Sequence, residues 1–329
     1  LNITLNYDQG SDFNSEGWNL IGNPYAAQYD WDQQTIPSGL NDAIYIWDGV
    51  AGSYKSYVAG VGNNTATQYI APGQGFWVRT DSGPISFTFD ASNRVTSQST
   101  PLYKQAPDII RLEASEEGAN VQDELVIGFD ATASYNFDGH LDAQKRFNSG
   151  AVPNFFSVIS GVDYAINRVP ANGTYDSIPL ALQYAPQGAK MEITANTDDL
   201  QAYSYVELRD AKTGQAIDLK AQPTYQFAND TNMVEGRFSL HFDNHNVSLK
   251  ENKARQANWF AYQNQDGLMV SFDEKLIGET LLIHNISGVQ IAEIAIAQTD
   301  VAILKNQPRG VYFLRLKGNT AKVKKVVQP

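Results

Sequence analysis

The feature of this chain that most constrains its fold is a recurrence of short apolar runs, each closed within a few positions by turn-forming residues. Near the end of the sequence, the runs at 280–285 and 309–317 are followed by Ile-Ser-Gly and Gly-Asn-Thr. β-Branched and aromatic side chains fit a pleated surface, and Gly supplies turn conformations with positive φ. Runs of this length and spacing predict strands and hairpins, so the sequence predicts an all-β protein.

The strand-like runs group into three predicted domains. Residues 1–101 are dense in aromatic and turn residues, which predicts an antiparallel β-sandwich. Residues 102–250 hold about eight strand-like runs and no long helical pattern, which predicts a second sandwich of jelly-roll type. Residues 251–329 form a third, smaller all-β segment. The predicted fold class is therefore all-β, with antiparallel β-sandwich domains in tandem.

Charge and cysteine content exclude several functions. The net charge is −12, and it is uneven, because basic residues outnumber acidic ones after Lys253 whereas acidic residues dominate before it. This change of sign favours a domain boundary near residues 250–253. An acidic surface repels phosphate backbones, so no nucleic-acid partner is expected. The absence of cysteine excludes disulfides, thiolate metal sites and cysteine nucleophiles.

The hydropathy pattern shows neither a membrane-spanning helix nor an export signal. No apolar run reaches the roughly 18 residues that a transmembrane helix needs, so no transmembrane segment is predicted. Residues 1–7 alternate between apolar and polar like a strand, and they lack the charged start and apolar block of a signal peptide. If the protein is exported, we expect that its front end has been removed.

Three elements follow one another in a specific order at the end of the chain. They are a turn glycine after Ile-His-Asn-Ile-Ser, the strand-like run Pro-Arg-Gly-Val-Tyr-Phe-Leu-Arg-Leu, and the terminal run Lys-Val-Lys-Lys-Val-Val. As an ordered set they resemble the C-terminal sorting domain of proteins exported by the type IX secretion system of Bacteroidetes. The resemblance covers roughly the last quarter of the chain. One departure is the Gln-Pro ending at residues 328–329, where family members more often end on a basic residue.

The resemblance carries several expectations. It implies an immunoglobulin-like sandwich for residues 251–329, a domain that passes through the outer membrane and is usually cut off. It implies the type IX secretion machinery as a partner, and a location in the medium or on the outer-membrane surface, reached through the periplasm. The alternative is a further β-sandwich with no sorting function. The sorting-signal residues that the resemblance implies are Gly288, Gly310, Val311, Tyr312, Lys324, Lys325 and Val326.

The two upstream segments resemble modules found in the same class of Bacteroidetes surface proteins. The first carries Gly-Trp-Asn-Leu-Ile-Gly-Asn-Pro-Tyr at 17–25 and Ala-Pro-Gly-Gln-Gly-Phe-Trp-Val at 71–78. The second carries similar phrases at 124–147 and 237–242. That family has no agreed activity that can be transferred to named residues.

Tryptophans are the candidate ligand-binding residues. Exposed Trp and Tyr rings can stack against sugar rings, because an amphipathic ring supplies much contact area. Trp18 and Trp31 neighbour polar turn residues and are predicted as ligand-binding residues, although packing in a core or against a turn is the alternative for both. Trp47 and Trp77 lie inside apolar runs, which favours the core.

Three aspartates in one polar segment form a candidate calcium site. Asp130, Asp138 and Asp142 could supply the carboxylate oxygens that a hard cation prefers, although their spacing matches no known calcium motif. His241 and His245 are four residues apart on a predicted strand, where they do not converge, so no transition-metal site is expected. Apart from this possible calcium, no cofactor is predicted.

No catalytic motif stands out. The sequence lacks a Gly-x-Ser-x-Gly elbow, a phosphate loop and a His-Glu-x-x-His pair, and no pair of its many carboxylates is marked as a glycosidase pair. We therefore predict no enzyme. The predicted function is a stalk or adhesive part of a secreted or surface-attached protein with a terminal sorting domain. The alternative is a carbohydrate-binding or carbohydrate-active surface protein, so glycans and host or cell-surface proteins are the further possible partners.

Overall fold

A computed structural model describes the chain in two compact units, Leu1–His245 and Asn246–Pro329. It describes all residues except 11–12, 96–107, 151, 172–176, 185, 187, 230–232, 244–258, 265–266, 273–275, 305–307, 309, 318–322 and 329. The described residues form strands, turns and short 3-10 helices, with no α-helix among them. The predicted all-β class is therefore confirmed.

The first part of unit 1 consists of short strands. They are β1 (Asn2–Leu5), β2 (Trp18–Gly22), β3 (Gln28–Asp30), β4 (Ile44–Asp48), β5 (Ser53–Val58), β6 (Val61–Gly62), β7 (Tyr69–Ile70), β8 (Gly75–Arg79), β9 (Ile85–Thr88) and β10 (Arg94–Val95). Two 3-10 helices, Trp31–Gln33 and Ala91–Asn93, are each capped by an aspartate side chain that accepts a backbone N–H.

The second part of unit 1 has longer strands. They are β11 (Asp108–Glu116), β12 (Gln122–Asp130), β13 (Ala143–Gln144), β14 (Asn154–Ile159), β15 (Val162–Pro170), β16 (Ile178–Gln183), β17 (Lys190–Asn196), β18 (Tyr205–Asp210), β19 (Gln215–Asp218), β20 (Thr224–Ala228) and β21 (Met233–Asp243).

Four sheets are built from these strands. Three belong to the first part, in the orders β1-β9, β10-β3-β7 and β2-β8-β4-β5-β6. The fourth has 11 strands in the order β19-β18-β21-β16-β14-β15-β12-β11-β17-β20, with β13 paired to β15. Apolar residues on alternate positions of β11 and β17 point to its main core, as the period of two along a strand requires.

One strand pair departs from the predicted antiparallel arrangement. β12 and β15 pair in parallel from Val126↔Ile166 to Asp130↔Pro170. Both strands are buried over nearly continuous runs, at 125–129 and 164–169. Parallel pairs are typical of strands covered on both faces, and here β13 and β14 lie in the connection that such a crossover needs.

The two parts of unit 1 share a hydrophobic core. Tyr45 and Val61 of the five-stranded sheet lie in one buried cluster with Ile109, Val126 and Ile166 of the 11-stranded sheet. The Tyr45 hydroxyl also accepts a 2.8 Å hydrogen bond from the backbone N–H of Gln144. The segments predicted as domains 1–101 and 102–250 are thus packed together within one compact unit.

Unit 2 has a core of its own. Its strands are β22 (Trp259–Asn264), β23 (Gly267–Phe272), β24 (Thr280–Asn285), β25 (Gln290–Ala295), β26 (Asp300–Ala302), β27 (Gly310–Leu316) and β28 (Val323–Gln328). They form a three-stranded sheet, β22-β23-β26, and a four-stranded sheet, β25-β24-β27-β28, all antiparallel. Over the described residues this is the three-plus-four strand count of a constant-type immunoglobulin sandwich. Leu281, Ile283 and Leu314 are fully buried between them.

Candidate functional site

One side of the five-stranded sheet in unit 1 carries large aromatic residues. Leu20 lies opposite Trp77, Trp77 lies opposite Tyr45, and Trp47 lies opposite Tyr54 in neighbouring strands. Residues directly opposite in an antiparallel pair share a face, as do residues two apart in one strand. Trp18, two residues before Leu20, therefore lies on the same side. The other side of the sheet, with Ile44, Tyr57, Phe76 and Val78, lies in a core cluster.

An arginine from the second part of unit 1 is inserted among these rings. The Arg146 Cζ atom lies 4.4 Å from the ring centre of Trp18, 4.6 Å from that of Trp77 and 5.2 Å from that of Tyr54. These distances fall within the range of cation–π contacts. The positive charge is thus held against three electron-rich faces. We call Trp18, Leu20, Trp47, Tyr54, Trp77 and Arg146 the aromatic face.

Exposure increases away from Arg146. Trp18, Tyr54 and Trp77 are half-buried, whereas Trp47 is 40% exposed and Leu20 61% exposed. The Trp47 ring meets the Tyr54 ring edge to face, with 4.9 Å between ring centres. Isolated exposed apolar side chains are ordinary, but a contiguous apolar patch is a feature of binding surfaces. Leu20 and Trp47 are therefore the exposed part of the aromatic face, whereas Trp18, Tyr54 and Trp77 also pack against the buried cluster that joins the two parts of unit 1.

The two predicted ligand-binding tryptophans have different environments. Trp18 belongs to the aromatic face, and its indole N–H donates to the Asn14 carbonyl at 3.0 Å. Trp31 is only 4% exposed, and its indole N–H donates to the Asp42 carbonyl at 2.6 Å. It packs against Phe76 and Phe87 in the core, so its prediction as a ligand-binding residue is wrong. The polar turn beside it caps a 3-10 helix and does not mark an exposed ring.

Sequence reasoning placed Trp47 in the core, and that prediction is also wrong. Trp47 lies in the apolar run of β4, where Ile44 and Tyr45 are both buried. The run Ile-Tyr-Ile-Trp has no polar residue to show which positions face solvent. The only local indication that Trp47 is exposed was the turn at Asp48-Gly49 immediately after it, which places Trp47 at the end of the strand.

A concave pocket of about 420 Å³ lies elsewhere in unit 1, lined in part by Phe13, Phe137 and Tyr164. Arg79 forms one wall and is nearly fully buried. Its guanidinium donates to the Asp81 carboxylate at 2.6 Å and to the carbonyls of Glu16 and Phe13. The Phe13 ring covers it at 4.2 Å. Arg79 therefore already has protein partners, and its placement identifies no ligand for the pocket.

The three predicted calcium-binding aspartates are occupied by protein hydrogen bonds. Asp142 is buried, and its two carboxylate oxygens accept the backbone N–H groups of Arg168 at 2.7 Å and Asp138 at 2.8 Å. Asp130 accepts the N–H and hydroxyl of Thr132 and faces the Arg168 guanidinium at 3.5 Å. Among the described residues, no group of three or more His, Asp or Glu side chains could hold a metal ion. The structure does not gather the three aspartates into a calcium site.

Burial and hydrogen bonding shift the pKa values of two of these carboxyls in opposite directions. Desolvation raises the pKa of Asp142 to about 7, against the opposing effect of its two backbone hydrogen bonds. Hydrogen bonds from Thr132 lower the pKa of Asp130. Two aspartates of the same predicted site thus have pKa values shifted in opposite directions, whereas a hard cation prefers several ionised carboxylates together.

The predicted sorting-signal residues lie in unit 2. Gly288 occupies the turn between β24 and β25 with a φ of 77°, a conformation that favours glycine. The other six lie on the β27–β28 pair, where Tyr312 is opposite Val326 and Leu314 is opposite Lys324. Tyr312 is buried and donates to the Pro308 carbonyl at 2.6 Å, whereas Lys325 is exposed. The hairpin thus combines a buried aromatic anchor with a basic outer surface.

The chain belongs to the DUF8693 family, a domain of unknown function, whose family model matches residues 2–242. The match spans both parts of unit 1 and ends just before the division between the two units. No curated protein and no solved structure matches the chain. Within the described residues, none of the helices has the length and apolar character needed to span a bilayer. Membership therefore defines the domain without assigning it an activity.

Proposed function

We propose that this chain is a non-catalytic part of a secreted or surface-attached protein, in which unit 2 is a type IX secretion domain and unit 1 is an adhesive module. The observation that carries the proposal is the organisation of unit 2. It is a separate compact unit with its own core, and six of the seven sorting-signal residues share one hairpin. The secretion machinery must recognise a sorting domain independently of the domain that precedes it.

The test uses a bacterium that has a type IX secretion system. Residues 246–329 fused to a folded reporter that carries a signal peptide should deliver the reporter to the cell surface or the medium. With the same signal peptide, the chain without residues 253–329 should remain in the periplasm. Lys325→Gln keeps the hairpin length and tests whether its exposed charge is needed, whereas Lys324 is kept because its ammonium lies 5.4 Å from the ring centre of Trp259. Equal delivery of the truncated and complete chains would refute the proposal.

A second candidate function, glycan binding by unit 1, is supported by the aromatic face. Its rings lie on four neighbouring strands, β2, β8, β4 and β5. Three spacings of about 4.8 Å give roughly 14 Å of surface, long enough for an oligosaccharide. Sugar rings pack their C–H groups on aromatic faces, and Arg146 adds donors for hydroxyl or acidic groups. An acidic glycan would pair with the arginine that the rings hold in place.

Glycan arrays and titration calorimetry would test this candidate function. We expect binding of the intact chain to at least one acidic oligosaccharide, and loss of about 1–3 kcal/mol of binding free energy in Trp47→Ala, since central aromatic residues dominate such contacts. Tyr135→Ala is the matched control, because Tyr135 is 42% exposed but is not part of the aromatic face. Glycan binding that Trp47→Ala leaves unchanged would show that the site lies elsewhere.

A further inference from the structure

A lysine and an aspartate are buried against each other in the interior of unit 1. The Lys145 side chain is 1% exposed and that of Asp123 is 0% exposed, and the Lys145 Nζ atom donates to Asp123 Oδ2. Both side chains of this pair are more buried than those of Lys55 and Asp48, which are 29% and 25% exposed, and the Lys145 side chain is more buried than that of Arg237, which is 9% exposed in its pair with Asp210. A buried ion pair gains little net stability, because removing two charges from water offsets their attraction. The position of this pair therefore calls for a different explanation.

We propose that Lys145 and Asp123 form an intramolecular isopeptide bond, an amide between Nζ and Cγ. The reaction would be the condensation of an amine with a carboxyl group, and it needs no oxidant, metal or cofactor. Nζ attacks Cγ, the bond between Cγ and Oδ2 breaks, and Oδ2 leaves as water with two of the three protons of the ammonium group. One amide proton stays on Nζ, so atoms and charge balance.

The contacts of Asp123 suit this reaction. The Phe155 backbone N–H donates to Oδ2 at 2.6 Å, and the Asn64 side-chain amide donates to Oδ1 at 3.1 Å. The Asn64 amide orientation is defined, because its Oδ1 accepts the Glu124 N–H at 3.0 Å. Donors aimed at both oxygens stabilise the negative charge that develops when an amine attacks a carboxyl carbon. Oδ1, held by Asn64, would remain as the amide oxygen.

The closeness of the two groups and the exclusion of water by burial meet the remaining requirements of the condensation. A nitrogen in contact with a carboxylate oxygen is already near the roughly 3–3.5 Å that reacting atoms occupy in near-attack geometries, and well-oriented intramolecular groups reach effective concentrations on the order of 10⁵ M or more. Proton transfer within the pair gives the neutral amine that is the nucleophile. Burial excludes the water that would reverse the reaction, and the product carries no buried charge.

The bond would constrain the second part of unit 1. Asp123 is at the start of β12, and Lys145 directly follows β13, so the bond would close a loop over residues 123–145. That loop contains the polar segment 131–142, which has little regular structure. A cysteine-free chain has no disulfides, and an isopeptide bond would supply an equivalent covalent constraint.

Intact mass spectrometry of the denatured full chain tests the proposal. We expect a mass about 18 Da below the sequence value, because one water leaves when the amine nucleophile condenses with the carboxyl group. No Lys or Arg lies between Arg111 and Lys145, so trypsin is combined with a protease that cleaves after Glu. This double digestion should leave residues 118–124 joined to residues 125–146 as a branched peptide, with no cleavage after Lys145. Lys145→Arg should show the full mass of its own sequence, and Lys55→Arg, in the partly exposed pair, should keep the 18 Da loss.

Two results would overturn the proposal. One is the full sequence mass in the folded protein after prolonged incubation, which shows that no water has left. The other is an 18 Da loss without the branched peptide, which places the dehydration at another site, such as an aspartate followed by glycine. Both measurements are made on the protein without substitutions, so they do not depend on whether a variant folds.

Discussion

Asn64 and Glu124 bind each other through two reciprocal hydrogen bonds, although they lie 60 residues apart. The Asn64 backbone N–H donates to Glu124 Oε2 at 2.7 Å, and the Glu124 backbone N–H donates to Asn64 Oδ1 at 3.0 Å. Asn63 adds a third bond, from its side-chain amide to the Glu124 carbonyl at 2.9 Å. A turn of the first part of unit 1 is thereby fixed to the start of β12 in the second. The two parts are joined by polar contacts as well as by a shared core.

Removing the Asn64 side chain should destabilise unit 1. In Asn64→Ala the Glu124 N–H and the Asp123 carboxylate lose a partner in a buried environment, and unsatisfied buried groups of this kind cost about 1–3 kcal/mol each. Urea unfolding followed by tryptophan fluorescence should show the loss. The exposed Asn120 is the control, since Asn120→Ala should change the free energy of unfolding by less than about 0.5 kcal/mol. Equal stability of both variants would contradict the structural role of Asn64.

The first part of unit 1 should not fold by itself. A fragment of residues 1–95 would expose Tyr45, Val58 and Val61, which are fully buried in the complete unit. We expect a disordered or aggregating fragment, whereas residues 1–245 and residues 246–329 should each fold, because each contains its own complete core. Near-ultraviolet circular dichroism and limited proteolysis would distinguish these cases. A cooperatively folded 1–95 fragment would show that the shared core is dispensable.

The fold class could be predicted from short stretches of sequence, because strand length, branched residues and turn glycines can each be recognised locally. Such stretches were not enough to predict which segments pack together. Nothing near Val58 or Ile109 in sequence indicates that the two share a core, since their contact arises from long-range packing. The parallel β12–β15 pair could not be predicted for the same reason, because its connection includes two other strands.

The tryptophans show how far the candidate site could be predicted from the sequence. Trp31, beside polar residues, is buried, and Trp47, inside an apolar run, is exposed. The side of a strand that faces the core is set by the register with neighbouring strands, and the run Ile-Tyr-Ile-Trp contains no polar residue that would reveal it. Arg146 was missed as well, because its contacts with Trp18 and Trp77 come from a distant segment.

The stability of unit 1 should depend on pH through Asp142. Burial raises its pKa to about 7 in the folded state from an ordinary value of 3.8, so the folded state holds a proton that the unfolded state has already released. The stabilisation that the protonated Asp142 gives to the folded state is therefore complete below about pH 4 and is lost as pH rises to about 7. Over this range the free energy of unfolding falls with a slope of up to about 1.4 kcal/mol per pH unit.

Urea unfolding at several pH values would check this dependence. The difference in unfolding free energy between the intact chain and Asp142→Asn should shrink as pH rises over this range, because the variant has no proton to lose. The exposed Asp199 is the control, since Asp199→Asn should keep the slope. A difference that is independent of pH would show that Asp142 does not titrate as its burial requires.

Calcium should leave the melting temperature of the chain unchanged. Both oxygens of Asp142 accept backbone N–H groups, and Asp138 Oδ1 accepts the His140 N–H at 2.9 Å, so binding a cation would break existing hydrogen bonds. Differential scanning fluorimetry with millimolar CaCl₂, against NaCl of equal ionic strength, would measure any shift. A saturable rise in melting temperature that Asp138→Asn abolishes would restore the calcium site.

Two tryptophan substitutions should separate folding from binding. Trp31→Ala removes a ring that packs between Phe76 and Phe87, and it should lower the free energy of unfolding by about 3–5 kcal/mol, as expected for a large buried aromatic residue. Trp47→Ala removes a 40% exposed ring, and it should change stability by less than about 1 kcal/mol while weakening glycan binding. Urea unfolding and calorimetric titration on both variants give the two readouts. If Trp47→Ala were the more destabilising substitution, Trp47 would belong to the core, and its ring would not be available to a ligand.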